Sequence, residues 1–363
     1  MKSLPLAGRF AIILFLIAHS ISGCAAETSN ASANGQPSDA TGAVPDTIRV
    51  LIAAYYPVSG DTIDQAVTGD WGQSLAFTRT KVDSVTSDII RSLEEGTRFH
   101  GYKDPNAPKS LIYKVMGRQE FLEPLPTLPR PDSKVPMTDY GRIFDQIDGK
   151  TWVQGQKVDE IWIWGYHGGV IDLWESNMSS PYGDISNSDR RTDDLPVMDR
   201  TYTLFHYNYQ RGAAEAVENH MHQFEAILNF MDGRDSAPES EWTNLLFWGQ
   251  FVGSDSTHRL LSPRRAGWSH YPPNAEKDYQ WANLSPVRSD IEDWTPDGSG
   301  PFQEIECSRW HCDHLGWFVY WMQNMPGHGN TVRLGAHPMR NWWTFLGDYD
   351  TARLHNWKLW TED

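Results

Sequence analysis

Cysteine and basic residues are both scarce in this sequence. Three cysteines in 363 residues are too few for a fold held together mainly by disulfides. Lysine and arginine number 31 against 47 aspartates and glutamates, which gives a formal net charge of −16. A protein that binds nucleic acid normally carries a surplus of basic residues, so we expect no nucleic acid partner.

The common catalytic and nucleotide-binding motifs are also missing. The sequence has no G-x-S-x-G elbow, no H-E-x-x-H pair, no Walker loop and no G-x-G-x-x-G turn. These absences exclude the standard serine hydrolase, thermolysin-like, P-loop and dinucleotide-binding classes. Hydrophobic residues nevertheless make up 39% of the chain, which is enough for a folded core.

Long hydrophobic runs are confined to the N-terminus. Lys2 and Arg9 precede the apolar run Phe10–Ile17, which is too short to span a bilayer and is typical of a secretory signal peptide. The residues Ile21-Ser22-Gly23-Cys24 resemble a bacterial lipobox, in which the cysteine thiol is lipidated and the chain is cleaved just before it. We therefore predict a signal peptide over residues 1–23 and a membrane anchor through lipid on Cys24. The alternative is a simple secreted protein.

The remaining chain is predicted to have three parts. Residues 24–46 hold Cys24 and a small, polar, unpatterned tether. Because Ala25 rather than Asp follows Cys24, an outer-membrane or cell-surface location is favoured. Residues 47–255 form the core domain. Residues 256–363 are rich in Trp and are expected to pack on that core, since twelve of the 17 Trp lie after residue 240.

The last two cysteines are close together in the sequence. Cys307 and Cys312 are predicted to form a disulfide, because an exported protein folds in an oxidising compartment. Two alternatives are a metal site that also uses His311 and His314, and a nucleophilic Cys312 beside His311.

Strand and helix patterns alternate along the core domain. We predict strands at 48–56, 110–122, 158–165, 201–207 and 244–252, and helices at 74–95, 140–147, 212–231, 314–326 and 341–360. This alternation is the signature of an α/β domain with an open, largely parallel, doubly wound sheet. The units are too few for an eight-fold barrel.

Two predicted strand ends carry polar residues, and ligands of open α/β sheets bind at the carboxyl ends of strands. His167 lies among three glycines after the third strand and is a candidate acid/base group, with Glu175 as its carboxylate partner. The alternative is an ordinary turn histidine. After the fourth strand, Tyr207 and Asn208 are candidates for binding substrate hydroxyls. Arg211 is a candidate for binding an anion, or alternatively pairs with Glu215 on the protein surface.

The helix predicted at 212–231 carries a cluster of ionisable residues. Glu218, His222 and Glu225 share one narrow wedge of its surface, because residues three and four apart are neighbours on a helix. They could bind a divalent metal, act as a general acid and base, or simply form a solvated face. His220 falls on the apolar side, where we expect a hydrogen-bonded core histidine.

Aromatic and polar residues alternate beyond residue 265, among them Trp268, His270, Asp278, Tyr279 and Trp281. Aromatic rings stack on sugar rings while carboxylates and amides bind the hydroxyls, so this segment favours a glycan cleft. The alternative is that Trp and Tyr fill a loop-rich core.

Together these features favour a cell-surface lipoprotein that hydrolyses a polysaccharide or another glycan. Glu175 and Glu218 are the predicted acid/base pair, with His167, His222 and Arg211 orienting charge. Tyr207, Asn208, Trp268, Asp278 and Trp281 are the predicted substrate-binding residues. One alternative is a metal-dependent amidase or esterase on cell-wall material, with a divalent metal on 167, 218, 222 and 314. The other is a non-enzymatic glycan-binding protein.

Overall fold

The computed structural model describes residues 44–130, 133–188 and 194–362. All of them belong to one compact unit, Thr41–Asp363. The predicted lipidation site, Cys24, lies outside the described residues. Among the described residues, no helix has the length and apolarity that crossing a membrane requires.

A five-stranded sheet forms the centre of the fold. Its strands are β1 (Asp46–Tyr55), β2 (Leu111–Phe121), β3 (Glu160–Gly165), β4 (Ser176–Ser179) and β5 (Tyr202–Asn208). Their spatial order is β2-β1-β3-β5-β4, and only β4 is antiparallel to its neighbour. The predicted α/β fold with a largely parallel sheet is therefore confirmed. The polar four-residue strand β4 was not predicted, because it is too short to show a pattern.

Seven α-helices accompany the sheet within the described ranges. They are α1 (Gln65–Thr68), α2 (Leu75–Gly96), α3 (Tyr140–Gln146), α4 (Ala213–Met231), α5 (His314–Met322), α6 (Thr344–Gly347) and α7 (Tyr349–Leu354). Two- and three-residue strands pair as Val58–Ser59 with Thr62–Ile63, Thr127–Leu128 with Met137–Thr138, Val287–Ser289 with Gln303–Ile305, and Arg333–Leu334 with His337–Pro338.

Helices cover both faces of the sheet. In α3, Phe144 packs on Tyr202 with ring centroids 5.2 Å apart, and in α4, His220 stacks on Phe205 at 3.8 Å. Residues 202 and 205 of β5 point to opposite faces, because side chains alternate along a strand. The helices α3 and α4 therefore lie on opposite sides, as a doubly wound sheet requires. His220 is fully buried and its Nε2 lies 2.5 Å from the Tyr207 hydroxyl, which confirms the prediction of a core histidine.

Glu160, at the start of β3, places an ionisable group in the core. Burial raises the pKa of its carboxyl group from 4.5 to about 8, although the Trp162 indole donates a hydrogen bond to it (2.7 Å). Between these values the folded protein binds more protons than the unfolded chain, so Glu160 lowers stability progressively as pH rises.

Replacing Glu160 by glutamine is expected to remove this loss of stability at high pH, because the amide does not ionise. The amide oxygen still accepts the Trp162 hydrogen bond. The free energy of unfolding of E160Q should exceed that of the wild type by an amount that grows by several kcal/mol between about pH 5 and about pH 8. One pKa unit corresponds to about 1.4 kcal/mol. Urea unfolding of both metal-free proteins at the two pH values measures it. Equal pH dependence in the two proteins would contradict a protonated Glu160.

The prediction of a strand at 244–252 is wrong. Leu246–Val252 forms a turn of π-helix, and five of its seven residues are buried. A short, continuous apolar run does not distinguish a buried strand from a buried helical turn. Asp232 stabilises the helical turn by accepting the Phe247 N–H (2.7 Å). Gly249 contributes because a Cβ there would lie 2.2 Å from the Thr243 carbonyl oxygen.

The helices predicted near the C-terminus are shorter than expected. The helix predicted at 314–326 is α5, which ends at Met322. The segment predicted as one helix at 341–360 contains two short ones, α6 and α7, separated by Asp348. Asp348 has a non-helical backbone conformation (φ −145°, ψ 59°) and its side chain caps α7, so the helical path is interrupted there.

The C-terminal Trp side chains share one hydrophobic core with the sheet and its helices. Trp343, for example, stacks on Phe224 of α4 with ring centroids 4.4 Å apart. Cys307 and Cys312 lie at disulfide distance, with their Sγ atoms 1.97 Å apart, as predicted.

Candidate functional site

The ends of β3 and β5 lie side by side, which brings two predicted site segments together. Gly165 and Asn208 are register partners in this parallel pair. Beyond them, the backbone N–H of His167 donates to the Gln210 side chain (3.1 Å). Gly168 has a positive φ of 47°, and a Cβ there would lie 2.5 Å from the Thr68 carbonyl oxygen, so this turn requires glycine.

Helix α4 starts directly after this edge of the sheet and presents the predicted ionisable wedge. Glu215 accepts the N–H of Gly212 (3.2 Å) and so fixes the first turn. One to three turns further on, Glu218, His222 and Glu225 project from the same side of the helix. Their side chains are only 15%, 12% and 9% exposed, so they do not form a solvated face.

A tight turn at Trp268–Tyr271 brings His270 to this helix. The Trp268 N–H donates to the Tyr271 carbonyl (3.0 Å), and the Tyr271 N–H donates to that of Trp268 (2.9 Å). Two indoles of α5 hold the turn from behind. Trp317 donates to the Ser269 carbonyl (2.8 Å) and Trp321 to that of Gly267 (3.0 Å). The Trp-rich C-terminal part therefore positions His270.

Glu218, His222 and His270 form a group with the geometry of a metal site. The His270 Nε2 lies 3.0 Å from the His222 Nε2 and 3.0 Å from the Glu218 Oε1. The His222 Nε2 lies 3.8 Å from the same Oε1. Ligands bonded at about 2.0–2.1 Å to a tetrahedral zinc ion lie about 3.4 Å from one another, so the three separations bracket the ideal value. Among the described residues this is the one cluster of three or more such groups.

Outer carboxylates orient both imidazoles. The Nδ1 of His222 lies 3.3 Å from Glu225, and the Nδ1 of His270 lies 3.1 Å from Asp278. If both Nδ1 atoms carry the hydrogen, both Nε2 atoms present lone pairs to each other, an arrangement that a cation between them stabilises. Ser269 is fully buried and donates to Glu225 (3.1 Å), so it supports this carboxylate rather than facing substrate.

The electrostatics of the metal-free group reflect these contacts. Burial alone would raise the pKa of Glu218, but the His222 and His270 imidazoles beside its carboxylate lower it to about 2. Burial alone would lower the pKa of His222, but the neighbouring carboxylates of Glu218 and Glu225 raise it to about 10, with a further contribution from Glu175. Metal therefore competes with protons for this group.

Removing the outer carboxylate of His270 is expected to weaken metal binding. In Asp278→Ala the imidazole loses the acceptor that orients it, so zinc affinity should fall about 10- to 100-fold. Competition with a zinc chelator measures the affinity. Glu276→Ala is the matched control, because it removes an exposed acid two residues away and should leave the affinity unchanged. An equal effect of both variants would indicate only a change in overall charge.

Glu218 also lines a cleft of about 620 Å³ at the carboxyl edge of the sheet. Six other predicted site residues line it as well: His167, Glu175, Tyr207, Asn208, Arg211 and Trp281. Such a volume lies within the roughly 300–1,000 Å³ of ligand-binding clefts. The Nδ1–H of His167 donates to the Ile171 carbonyl (2.6 Å), and Glu175 accepts from the Asn187 side chain (2.8 Å).

Four predicted site residues also make contacts within the protein. Tyr207 is buried and its hydroxyl contacts His220 in the core. Arg211 is 60% exposed and lies 3.8 Å from Glu215, the surface pair considered as its alternative role. Trp268 is not among the described residues that line the cleft. Its ring stacks on that of His270, with ring centroids 4.9 Å apart. Asp278 contacts His270, as described above.

Sequence reasoning did not select His270 as a metal ligand or Tyr279 as a site residue. Both were noted only as members of an aromatic segment, and their spacing carries no signal that links them to Glu218 and His222. Conversely, His167 and His314 were proposed as metal ligands. Both line the cleft, but neither belongs to the described three-residue cluster.

Tyr279 lies at the junction of the cleft and the metal-site group. Its ring centroid is 4.2 Å from that of His270, and its side chain lines the cleft. Burial and the charges of Glu218, Asp278 and Glu175 raise the pKa of its hydroxyl to about 12, so this hydroxyl remains a hydrogen-bond donor at neutral pH.

Comparison of the sequence with models of known protein families found no match, and comparison with curated proteins found none either.

Proposed function

We propose that this chain is a metal-dependent hydrolase of ester or amide bonds, with a zinc-class divalent ion bound by Glu218, His222 and His270. The observation that carries the proposal is the convergence of two imidazole nitrogens and one carboxylate oxygen beside an open cleft. Three protein ligands leave a fourth position for water or substrate, which is typical of catalytic rather than structural zinc sites. An ion held there polarises a carbonyl group and lowers the pKa of water.

Glu175 is the best candidate for the general base. It lines the same cleft as Glu218, and its backbone carbonyl accepts from the Asn219 side chain of α4 (3.5 Å), one residue after Glu218. Its half-buried carboxylate can take a proton from water and return it to the leaving group. Arg211 and Asn208, at the other strand end, are placed to bind polar groups of the substrate.

Glycosidic cleavage by Glu175 and Glu218 is the second candidate. That reaction requires one of the two carboxyl groups to be protonated. The Oε1 of Glu218 lies 3.0 Å and 3.8 Å from two imidazole nitrogens, a contact set that suits an ionised ligand better than a proton donor. We therefore favour the metal-dependent reaction over the glycosidase and over a non-enzymatic glycan-binding role.

The first test is metal dependence. Metal is removed from the purified chain with a chelator, and hydrolysis of 4-nitrophenyl acetate is followed as zinc is added back. We expect activity to be lost on stripping and to saturate near one equivalent of zinc. Full activity in the stripped protein, or no hydrolysis at any zinc level, would contradict the proposal.

Export and lipidation are part of the same proposal, with the protein held at the cell surface by Cys24. In a bacterial host, labelled palmitate should be incorporated into the wild-type chain and not into Cys24→Ala. Cys307→Ala combined with Cys312→Ala is the control, because these cysteines are paired with each other. Incorporation that persists in Cys24→Ala would contradict the anchor.

A further inference from the structure

Two kinds of side chain line the cleft beside the proposed metal site. Polar side chains come from the adjacent ends of β3 and β5 and from the start of α4. Three further aromatic side chains, those of Tyr279, Trp281 and His314, come from the C-terminal part and are contiguous. The ring of Trp281 lies 5.2 Å from that of Tyr279 and 5.0 Å from that of His314.

Tyr279 has two unusual features for a tyrosine beside a buried site. Its side chain is 50% exposed, although a large aromatic ring is normally mostly buried. Its φ is +59°, a left-handed conformation that is unfavourable for a bulky residue. Strained, sparsely populated backbone conformations cluster at ligand-binding and active sites. The fold therefore holds an exposed aromatic ring next to His270 at a conformational cost.

The Trp281 ring is fixed behind Tyr279. Its indole N–H donates to the Ser269 carbonyl (3.3 Å), and its backbone carbonyl accepts the Trp310 indole N–H (2.7 Å). The two rings meet edge to face, with 63° between their planes, and Glu175, Asn208 and Arg211 supply charged and amide groups in the same cleft. An apolar surface next to several polar groups matches a sugar ring, which has apolar C–H faces and hydroxyls around its edge.

We propose that the hydrolysed acyl group is carried by a sugar, so that the substrate is an acylated glycan. Tyr279 stacks on the sugar ring, Trp281 borders the sugar at an inclined angle, and the ester or amide bond lies at the group formed by Glu218, His222 and His270. This inference rests on the proposed function and adds the substrate class. Polar and apolar groups contribute about equally to the described lining, which fits a sugar, with its apolar faces and hydroxyl edge, better than the long chain of an acyl lipid.

The reaction balances with water as the only co-substrate. Water loses a proton to Glu175, and its oxygen bonds to the acyl carbon. The bond from the acyl carbon to the sugar oxygen or nitrogen then breaks, and the leaving atom takes the proton from Glu175. The products are the free carboxylic acid and the deacylated sugar.

Two substitutions of Tyr279 distinguish the contribution of its aromatic ring from that of its hydroxyl group. Tyr279→Phe keeps the stacking surface. Tyr279→Asn removes the ring and introduces a residue that tolerates the left-handed conformation. Tyr182→Asn is the matched control, because it removes another exposed tyrosine (37%) that does not line the described cleft.

The zinc-loaded full chain and these variants are assayed for acetate release from N-acetylglucosamine oligomers and acetylated xylo-oligosaccharides, and for hydrolysis of 4-nitrophenyl acetate. We expect the ratio of kcat/KM for the sugar substrate to that for 4-nitrophenyl acetate to fall at least about tenfold in Tyr279→Asn, mainly through KM, as expected for one lost stacking contact. Tyr279→Phe and Tyr182→Asn should preserve the ratio.

Zinc-dependent hydrolysis of 4-nitrophenyl acetate without acetate release from either sugar would overturn the sugar inference and leave the proposed function intact. An unchanged ratio in Tyr279→Asn would do the same. No zinc-dependent hydrolysis of any of these substrates would overturn the proposed function, and the inference with it.

Discussion

Replacement of His270 by alanine is expected to abolish stoichiometric zinc binding. The imidazole supplies one of three ligand atoms, with its Nε2 3.0 Å from both the His222 Nε2 and the Glu218 Oε1. Its loss should lower the affinity by more than the roughly 100-fold that outer carboxylates contribute. Elemental analysis after dialysis, followed by titration against a zinc chelator, measures both stoichiometry and affinity.

His314→Ala is the matched control for this experiment. His314 lines the same cleft and was one of the metal ligands considered from the sequence, but it lies outside the three-residue cluster. We expect this variant to keep one equivalent of zinc. Equal zinc loss in both variants, or full zinc binding by His270→Ala with an unchanged circular dichroism spectrum, would refute the assignment of the ligands.

Replacement of Glu175 by glutamine is expected to separate metal binding from turnover. The amide has nearly the shape of the carboxylate but cannot accept a proton from water. We expect kcat for 4-nitrophenyl acetate to fall about 10²- to 10⁴-fold, the usual contribution of a general base, while the zinc content stays at one equivalent. Steady-state kinetics on the zinc-loaded protein, with elemental analysis of the same sample, provide the comparison.

Glu215→Gln is the control for Glu175. Glu215 also lines the cleft, but its carboxylate accepts the Gly212 N–H (3.2 Å) and lies 3.8 Å from Arg211. Its loss should have a much smaller effect on kcat. If both variants reduce kcat equally, the charge of the cleft matters rather than a base at Glu175. Zinc loss in Glu175→Gln would instead make Glu175 part of the metal site.

Most of the sheet was predictable because its central strands are buried on both faces. All six residues of β3 are buried, and such continuous runs of branched and aromatic residues identify parallel strands. The prediction failed at 244–252, where the same kind of run forms a π-helical turn. Its conformation depends on Asp232 and on the approach of Thr243 to Gly249, contacts that an apolar pattern does not contain.

Part of the candidate site was also predictable. Glu218, His222 and Glu225 share one side of α4 because spacings of three and four residues determine neighbours on any helix. His167 and Arg211 could be placed together because adjacent parallel strands end at one edge of the sheet. In both cases local geometry links sequence distance to spatial distance.

The sequence by itself therefore determined four of the five strands of the sheet, the long helices, the α/β class and two of the three residues of the metal-site group. Only the tertiary structure decided that His270 completes this group, 48 residues after His222. The turn that carries His270 is held by the indoles of Trp317 and Trp321 and is oriented toward Asp278. These are contacts between distant segments, set by packing of the whole core, and no periodicity in the sequence encodes them.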